Sequence, residues 1–343
     1  MYRKLIKPLL FRRNAILAHE IAARLLRLAE KTPLVRTLIR IGYKREYPAL
    51  KKEVFGIEFP NPIGVAAGLD RNGEFYNVLS DFGAGFVEIG SISPEPITAS
   101  DRKTKSVMIR IPGKKALISN FHFTNKGVHS AIKNLKDDKP DSIVIASITH
   151  NIHDHEESLV ADYDKAFTLL YDFADIMEIN ISPATMGVGY DYGLAGLSEI
   201  MDPLMDKRMT MEVLKPVLLK ISVGIPYEEM DKILLYAMRS GVDGIVAGDS
   251  IRNYTGLLGE KDGSIEGFVS GAPLLEKTIS AIRHIVEFTK GRLPVVGCGG
   301  IMKPEDAKAM LDAGASLVEI YSGIIYEGPG LVKRTLNYLE ENA

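Results

Sequence analysis

Two short phrases late in the chain, Gly297-Cys298-Gly299-Gly300 and Tyr321-Ser322-Gly323, each close a run of β-branched and apolar residues. Glycine lets an anion approach the backbone closely, so successive N–H groups and a helix N-terminus can cradle a phosphate. The phrases stand roughly twenty residues apart with one helical segment between them, as in the last two strands of a (β/α)₈ barrel that build a phosphate site. A phosphorylated cofactor or substrate is the first expectation.

The elements that must position these phrases recur in order. Eight hydrophobic runs are present: Ile63 to Ala67, Phe86 to Ser91, Ile143 to Ser147, Ile176 to Ile181, Val217 to Ile221, Gly244 to Ala247, Pro294 to Cys298 and Leu317 to Ser322. Apolar runs separated by helix-length segments describe parallel strands buried on both faces. Amphipathic helices fit between them, among them Tyr227 to Ser240 and Pro304 to Ala313, the latter entered with proline in its first turn. The fold class expected is α/β, a (β/α)₈ TIM barrel, with chemistry at the ends of the strands.

A chain of 343 residues that is 46% hydrophobic has room for one such barrel of about 250 residues plus an extension. The single cysteine, Cys298, excludes an internal disulfide and reads as a small buried hydrophobe. Residues 1–45 hold twelve Lys or Arg against two Glu, a balance of +10, which leaves −12 for the rest of a chain whose net charge is −2. The same segment carries a helical stripe, Leu17, Ile21, Leu25 and Leu28, with Arg24 and Arg27 turned elsewhere. No apolar run approaches the roughly 18 residues that span a bilayer, and no signal-peptide cleavage pattern occurs. A basic amphipathic segment on an acidic body reads as a membrane-surface anchor or as a cap docked on the barrel. The division expected is residues 1–45 as a helical extension and 46–343 as the barrel, with no nucleic-acid partner.

Further phrases sit at strand ends: Asn61-Pro62-Ile63-Gly64 leading into Ala66-Ala67-Gly68-Leu69-Asp70, then Glu88-Ile89-Gly90-Ser91 and Ile179-Asn180-Ile181-Ser182. With Ala18-His19-Glu20 in the extension, Gly297 to Ile301, and Ile320 to Gly323, these resemble the dihydroorotate dehydrogenase family, specifically its quinone-using class 2. The resemblance covers nearly the whole chain, with its motifs in family order. It implies FMN over the barrel mouth, with Ala66, Ala67 and Gly68 against the ring and Lys220 near its N1 side. A cation there stabilises the negative charge of reduced flavin. The resemblance also puts Ser91, Ser147 and Asn180 at the flavin, and its phosphate on Gly271, Gly299, Gly300, Tyr321, Ser322 and Gly323. Read from the residues alone, Lys220 could instead form a salt bridge inside the barrel with Glu88, Glu178 or Glu319.

The substrate pocket departs from the family pattern. The family holds orotate with several asparagines, whose paired donors and acceptors suit the imide edges of a pyrimidine. Here Ser147 and Ser119 stand where two of them would be, and Ala247-Gly248-Asp249 replaces Thr-Asn-Thr on strand 6. Asn180 and Asn125 remain, and the family's carboxylate-binding lysine is Arg71, which keeps charge with altered geometry. The substrate-binding set implied is Arg71, Ser119, Asn125, Asn180 and Asp249. For the catalytic base, class 2 members read Asn-Ile-Ser-Ser-Pro-Asn-Thr-Pro-Gly, whereas this chain reads Asn180-Ile181-Ser182-Pro183-Ala184-Thr185-Met186-Gly187. Aligned without a gap, Pro183 takes the base position; with one residue deleted, Ser182 does. The second register is preferred, which makes Ser182 and Lys220 the catalytic pair.

His122 and Asp249 border the expected pocket and have side chains able to act as acid or base. His150, His153 and His155, with Asp154 and Glu156, fit no established zinc spacing, so a solvated loop is expected and no metal site. Met186 to Gly196, rich in glycine around Tyr190 and Tyr192, is expected to be a lid. The resemblance further implies that His19 and Tyr321 line a tunnel for quinone, and that the protein sits peripherally on the cytoplasmic side of the inner membrane. Three functions follow. The substitutions favour an FMN-dependent oxidoreductase acting on CH–CH groups whose substrate is not dihydroorotate. A dihydroorotate dehydrogenase with a remodelled pocket comes second, and a flavin-binding or membrane-docking protein without turnover third.

Overall fold

The computed structural model describes residues 2–98, 108–120, 124–136, 142–151, 157–182, 194–253 and 255–342. The strands, in chain order, are β1 (Lys52–Val54), β2 (Ile57–Phe59), β3 (Ile63–Val65), β4 (Phe86–Ile92), β5 (Met108–Ile111), β6 (Ala116–Ser119) and β7 (Ile143–Ile148). They continue as β8 (Ile176–Asn180), β9 (Val217–Ile221), β10 (Gly244–Ala247), β11 (Ile251–Arg252), β12 (Phe268–Gly271), β13 (Val295–Cys298) and β14 (Leu317–Ile320). Each of the eight expected runs coincides to within a few residues with one strand of a closed parallel barrel, ordered β3, β4, β7, β8, β9, β10, β13 and β14, with β14 pairing back onto β3.

The side-chain period of two divides each strand between two cores. On β9, Leu218 and Lys220 point into the barrel, while Val217, Leu219 and Ile221 face the surrounding helices. The interior is filled by Phe86, Ile145, Ile176, Leu218, Val246 and Val296, all shut off from solvent. Outside it lies a larger core, where the helix Tyr227–Ser240 buries Met230, Ile233, Leu234 and Ala237. Full burial of each such side chain contributes roughly 1.5–3 kcal/mol. The helix Pro304–Asp312 starts at its proline as the sequence predicts, and Asp306 Oδ2 accepts from the N–H groups of Met302 and Lys303 at 2.9 and 3.0 Å.

Two small sheets close the ends. The hairpin β1–β2 plugs the bottom: Phe59 packs edge-on against Phe86 at 5.5 Å, and the ring of Phe55 lies where a side chain at Gly244 would go. At the top, β11, β12, β6 and β5 form an antiparallel sheet.

Three helices precede the barrel: α1 (Lys7–Phe11), α2 (Ala15–Glu30) and α3 (Pro33–Tyr43). Asn14 caps α2 by accepting from Leu17 N–H at 2.7 Å. In the stripe Leu17, Ile21, Leu25 and Leu28, the three leucines are 39–65% exposed and Ile21 is half-buried. The inward face is built from smaller residues, Ala15 and Ala18, because α2 lies close over the barrel. Polar contacts fix the pose. Arg27 reaches Glu74 at 3.2 Å, Glu30 accepts from Val78 N–H at 2.9 Å, and Arg36 and Arg40 of α3 both bind Asp81 at 2.8 Å.

Candidate functional site

Strand ends bring the expected residues to one place. A cavity of about 150 Å³ opens at the C-terminal mouth of the barrel, beneath the antiparallel top sheet. Ala66, Ala67, Gly68, Ser91, Asn180 and Lys220 form one side of it. Gly271, Gly299, Gly300, Tyr321 and Ser322 form the other. Gly299 and Gly300 turn the chain with φ of 124° and 102°, and a side chain on Gly300 would fall 2.4 Å from Leu275 Cα. Only glycine suits that approach. Ser322 Oγ donates to Ser270 Oγ at 3.0 Å, so two hydroxyls face the same corner.

Arg71, Ser119 and Asp249 of the expected substrate set also line this cavity. Asn125 does not: its amide is turned to Ser93 Oγ at 2.9 Å, and its carbonyl oxygen accepts from Gly127 N–H at 2.8 Å. Ser147 lies behind the wall, its hydroxyl 2.7 Å from that of Ser91, which accepts from Asn180 Nδ2 at 3.0 Å. Gly323 also stands back, pressed against Ile301 O and Leu331. Ser182 is buried, its N–H bonded to Asn180 Oδ1 at 3.0 Å and its hydroxyl hydrogen-bonded to Asp249 Oδ2. His122, Pro183, His153 and His155, and most of the expected lid, lie outside the described residues. The last residues of that lid, from Leu194, begin the helix Leu194–Arg208.

Beneath the cavity the barrel interior holds one cation and three carboxylates. Lys220 Nζ lies 2.8 Å from Glu88 Oε1 and 3.4 Å from Glu178 Oε2, with Glu319 alongside. Burial alone would raise the Glu88 carboxyl, yet the Lys220 charge and hydrogen bonds from Glu178, Glu319 and Lys220 hold it down to about 2. Glu88 Oε2 also accepts from Ala67 N–H at 3.0 Å. Glu178 and Glu319 are pushed well above the usual carboxylate range, first by burial and then by the charge of Glu88. Lys220 is held well above the usual lysine range, because Glu178 and Glu88 outweigh its burial. Burial likewise raises the Cys298 thiol, with Glu319 adding to the effect.

A second cavity of about 220 Å³ lies between the N-terminal helices and the barrel. Its wall is almost wholly apolar, with Ala18, Ala22 and Leu26 of α2 facing Val65, Ile325 and Val332. Met108 and Leu117 line both cavities. His19 belongs to the second, where burial and the charges of Arg71 and Arg27 lower its imidazole to about 4. Tyr321 belongs to the first, with its ring over Gly68 and its hydroxyl bonded to Arg71. Arg71 also donates to Thr124 Oγ1 at 2.7 Å.

A family model for dihydroorotate dehydrogenase matches residues 49–342. The chain belongs to the dihydroorotate dehydrogenase family. It is 33% identical to a dihydroorotate dehydrogenase (quinone) of Christiangramia forsetii, with 97% of each chain covered. A protein of the same name from Methylococcus capsulatus is 34% identical, again with 97% of each covered. The fold is shared with a ligand-free DHODH from Eimeria tenella, at a TM-score of 0.83 and 24% identity over 94% of this chain and 93% of that one.

As a member of the dihydroorotate dehydrogenase family the chain is an oxidoreductase acting on CH–CH groups. Several residues that complete this family's site here were not visible in the sequence. Ser270 and Met108 come from strands of only four residues, and Thr124 bonds Arg71 across 53 positions. Short strands with distant partners leave no periodic signal.

Proposed function

We propose that this protein is a dihydroorotate dehydrogenase that uses FMN and passes electrons to quinone. The observation that carries the reading is the pair of cavities that share Met108 and Leu117 as lining, one at the barrel mouth over Lys220 and one apolar beneath the N-terminal helices. FMN suits the first. The Gly299-Gly300 turn and the Ser270 and Ser322 hydroxyls offer a phosphate corner, and Lys220 supplies a buried cation across from it. Bound there, FMN supplies a two-electron acceptor for hydride.

The protein's own residues do the rest. Arg71 presents its guanidinium to a substrate carboxylate, and Asn180, held by Ser91, presents an amide to the pyrimidine edge. Ser182 takes the proton from C5 of dihydroorotate as hydride leaves C6. Lys220 keeps its charge through Glu88 and stabilises negative charge that develops above it.

Quinone enters through the apolar cavity that His19 lines, and a neutral imidazole suits that wall. Residues 1–45 form the quinone-side extension on a barrel of residues 46–343. Among the described residues no helix is long and apolar enough to cross a membrane. Attachment is instead by the exposed leucines and basic side chains of α1 to α3, on the inner face of the membrane.

Similarity to proteins named dihydroorotate dehydrogenase (quinone) over 97% of the chain favours dihydroorotate over the different substrate suggested by Ser119, Ser147 and Asp249. An anaerobic absorbance spectrum before and after addition of dihydroorotate tests the reading. Bleaching of an oxidised flavin band is expected. An unchanged flavin spectrum would return the weight to another substrate, and a protein purified without flavin would overturn the cofactor.

A further inference from the structure

A serine hydroxyl is a poor base while it keeps its own proton. To take a proton from carbon it must hand one on in the same event, so an efficient serine base needs an acceptor at hydrogen-bond distance. The structure places one there. Ser182 Oγ is hydrogen-bonded to Asp249 Oδ2, although the two residues are 67 positions apart. Ser182 is 1% exposed and is itself oriented by the Asn180 side chain, whereas Asp249 lines the cavity.

The carboxylate is fixed from its other side. Asp249 Oδ1 accepts from the N–H of Ser250 at 2.6 Å and lies 3.4 Å from the Ser250 hydroxyl. Gly248 ahead of it has φ of 149°, and a side chain there would lie 2.1 Å from Cys298 O. The chain leaving β10 therefore runs against the end of β13, which sets Asp249 at the rim rather than in the barrel wall.

We propose that Asp249 is the proton acceptor for Ser182, so that the two act as a relay; this rests on the reading of the substrate as dihydroorotate. The C5–H bond breaks and its proton passes to Ser182 Oγ, while the Ser182 O–H proton passes to Asp249 Oδ2. The electron pair left at C5 forms the C5–C6 double bond as hydride leaves C6, for which the FMN of the proposed function would be the two-electron acceptor. Asp249 then returns its proton to water through the cavity that it lines. In the relay Asp249 takes its proton from Ser182 and not from the substrate, although its side chain also lines the cavity.

The test is rapid mixing of the flavin-loaded protein with dihydroorotate over a range of concentrations, for wild type, Asp249→Asn and Asp249→Glu. For Asp249→Asn the limiting rate of flavin bleaching should fall by about 10²-fold, as expected for loss of a general base. Because Asp249 also lines the cavity, the half-saturating concentration is read separately, and it should move by much less than the limiting rate. Deuterium at C5 should slow the variant more than wild type, orotate binding measured by equilibrium dialysis should change by much less than the limiting rate, and Asp249→Glu should recover part of the rate. If Asp249→Asn does not retain flavin, Asp249→Ser takes its place in the same measurements. A wild-type protein whose flavin is not bleached overturns the proposed function and the relay with it. A wild type that bleaches, with a variant of equal limiting rate or one altered only in half-saturation, overturns the relay alone.

Discussion

Lys220 Nζ lies 2.8 Å from Glu88 Oε1, and both side chains are buried inside the barrel directly beneath the cavity. Glu178 and Glu319, both buried, share the space beside Glu88. Three ionised carboxylates against one ammonium would leave two uncompensated charges where water does not reach. The stable arrangement is an ionised Glu88 paired with Lys220, and protons retained on Glu178 and Glu319.

That proton count is measurable through stability. A carboxyl raised by folding adds stability that is complete below its ordinary value of 4.5 and is lost as pH rises through its folded value. Glu319→Gln keeps the shape and removes the titration. As pH rises above 4.5, urea midpoints of wild type should fall relative to Glu319→Gln. A difference that stays constant with pH would mean that Glu319 is ionised in the fold.

Removing the cation should do more harm than removing a carboxyl. Lys220→Met leaves Glu88 buried without its counter-charge, and breaking a buried pair from one side typically costs about 3–5 kcal/mol. The double variant Lys220→Met with Glu88→Gln should regain most of that stability, because no unpaired charge remains. Denaturant unfolding of the single and double variants reads this directly. Equal stabilities would show that Glu88 is relieved by another route.

The barrel was legible because parallel strands buried on both faces must be apolar at consecutive positions, so Ile143 to Ser147 and Val217 to Ile221 announce themselves. The top sheet was not. Its strands β5, β6, β11 and β12 are two to four residues long, and β6 pairs with β12 across about 150 positions of sequence, too far for any local pattern to register. The stripe on α2 was visible, but its two readings, a membrane anchor or a docked cap, could not be separated, since hydrophobic size does not tell a docking face from an exposed one. Close approach to the barrel selected Ala15 and Ala18 and left Leu28 outside. Ser182 and Asp249 were each singled out, but the bond between them comes from folding β8 and β10 into one barrel.

His19 gives a second pH signature with the opposite sign. Burial, with Arg71 and Arg27 nearby, lowers its imidazole from 6.5 to about 4. A lowered histidine contributes stability that is complete above 6.5 and is lost as pH falls toward 4. The effect is at most about 3 kcal/mol for a shift of this size. Wild type should lose thermal stability on acidification faster than His19→Gln. Parallel losses in the two proteins would place His19 in contact with water.

The proposed membrane attachment can be tested on the N-terminal helices. On α3, Leu34, Leu38 and Ile41 are 71%, 62% and 76% exposed, while Arg36 and Arg40 of the same helix are bound to Asp81. Leu25 and Leu28 of α2 add to the exposed apolar surface, and residues 1–45 carry +10 overall. Apolar side chains this exposed are unfavourable in water and favourable at a lipid interface, where the basic surplus adds attraction to anionic headgroups. Replacing Leu34, Leu38 and Ile41 together by glutamate should strongly reduce cosedimentation with anionic vesicles. Flavin content and the rate of flavin bleaching should be unchanged, because α3 lines neither cavity. Undiminished vesicle binding would assign attachment to another surface, and loss of flavin would show that α3 supports the barrel rather than the membrane.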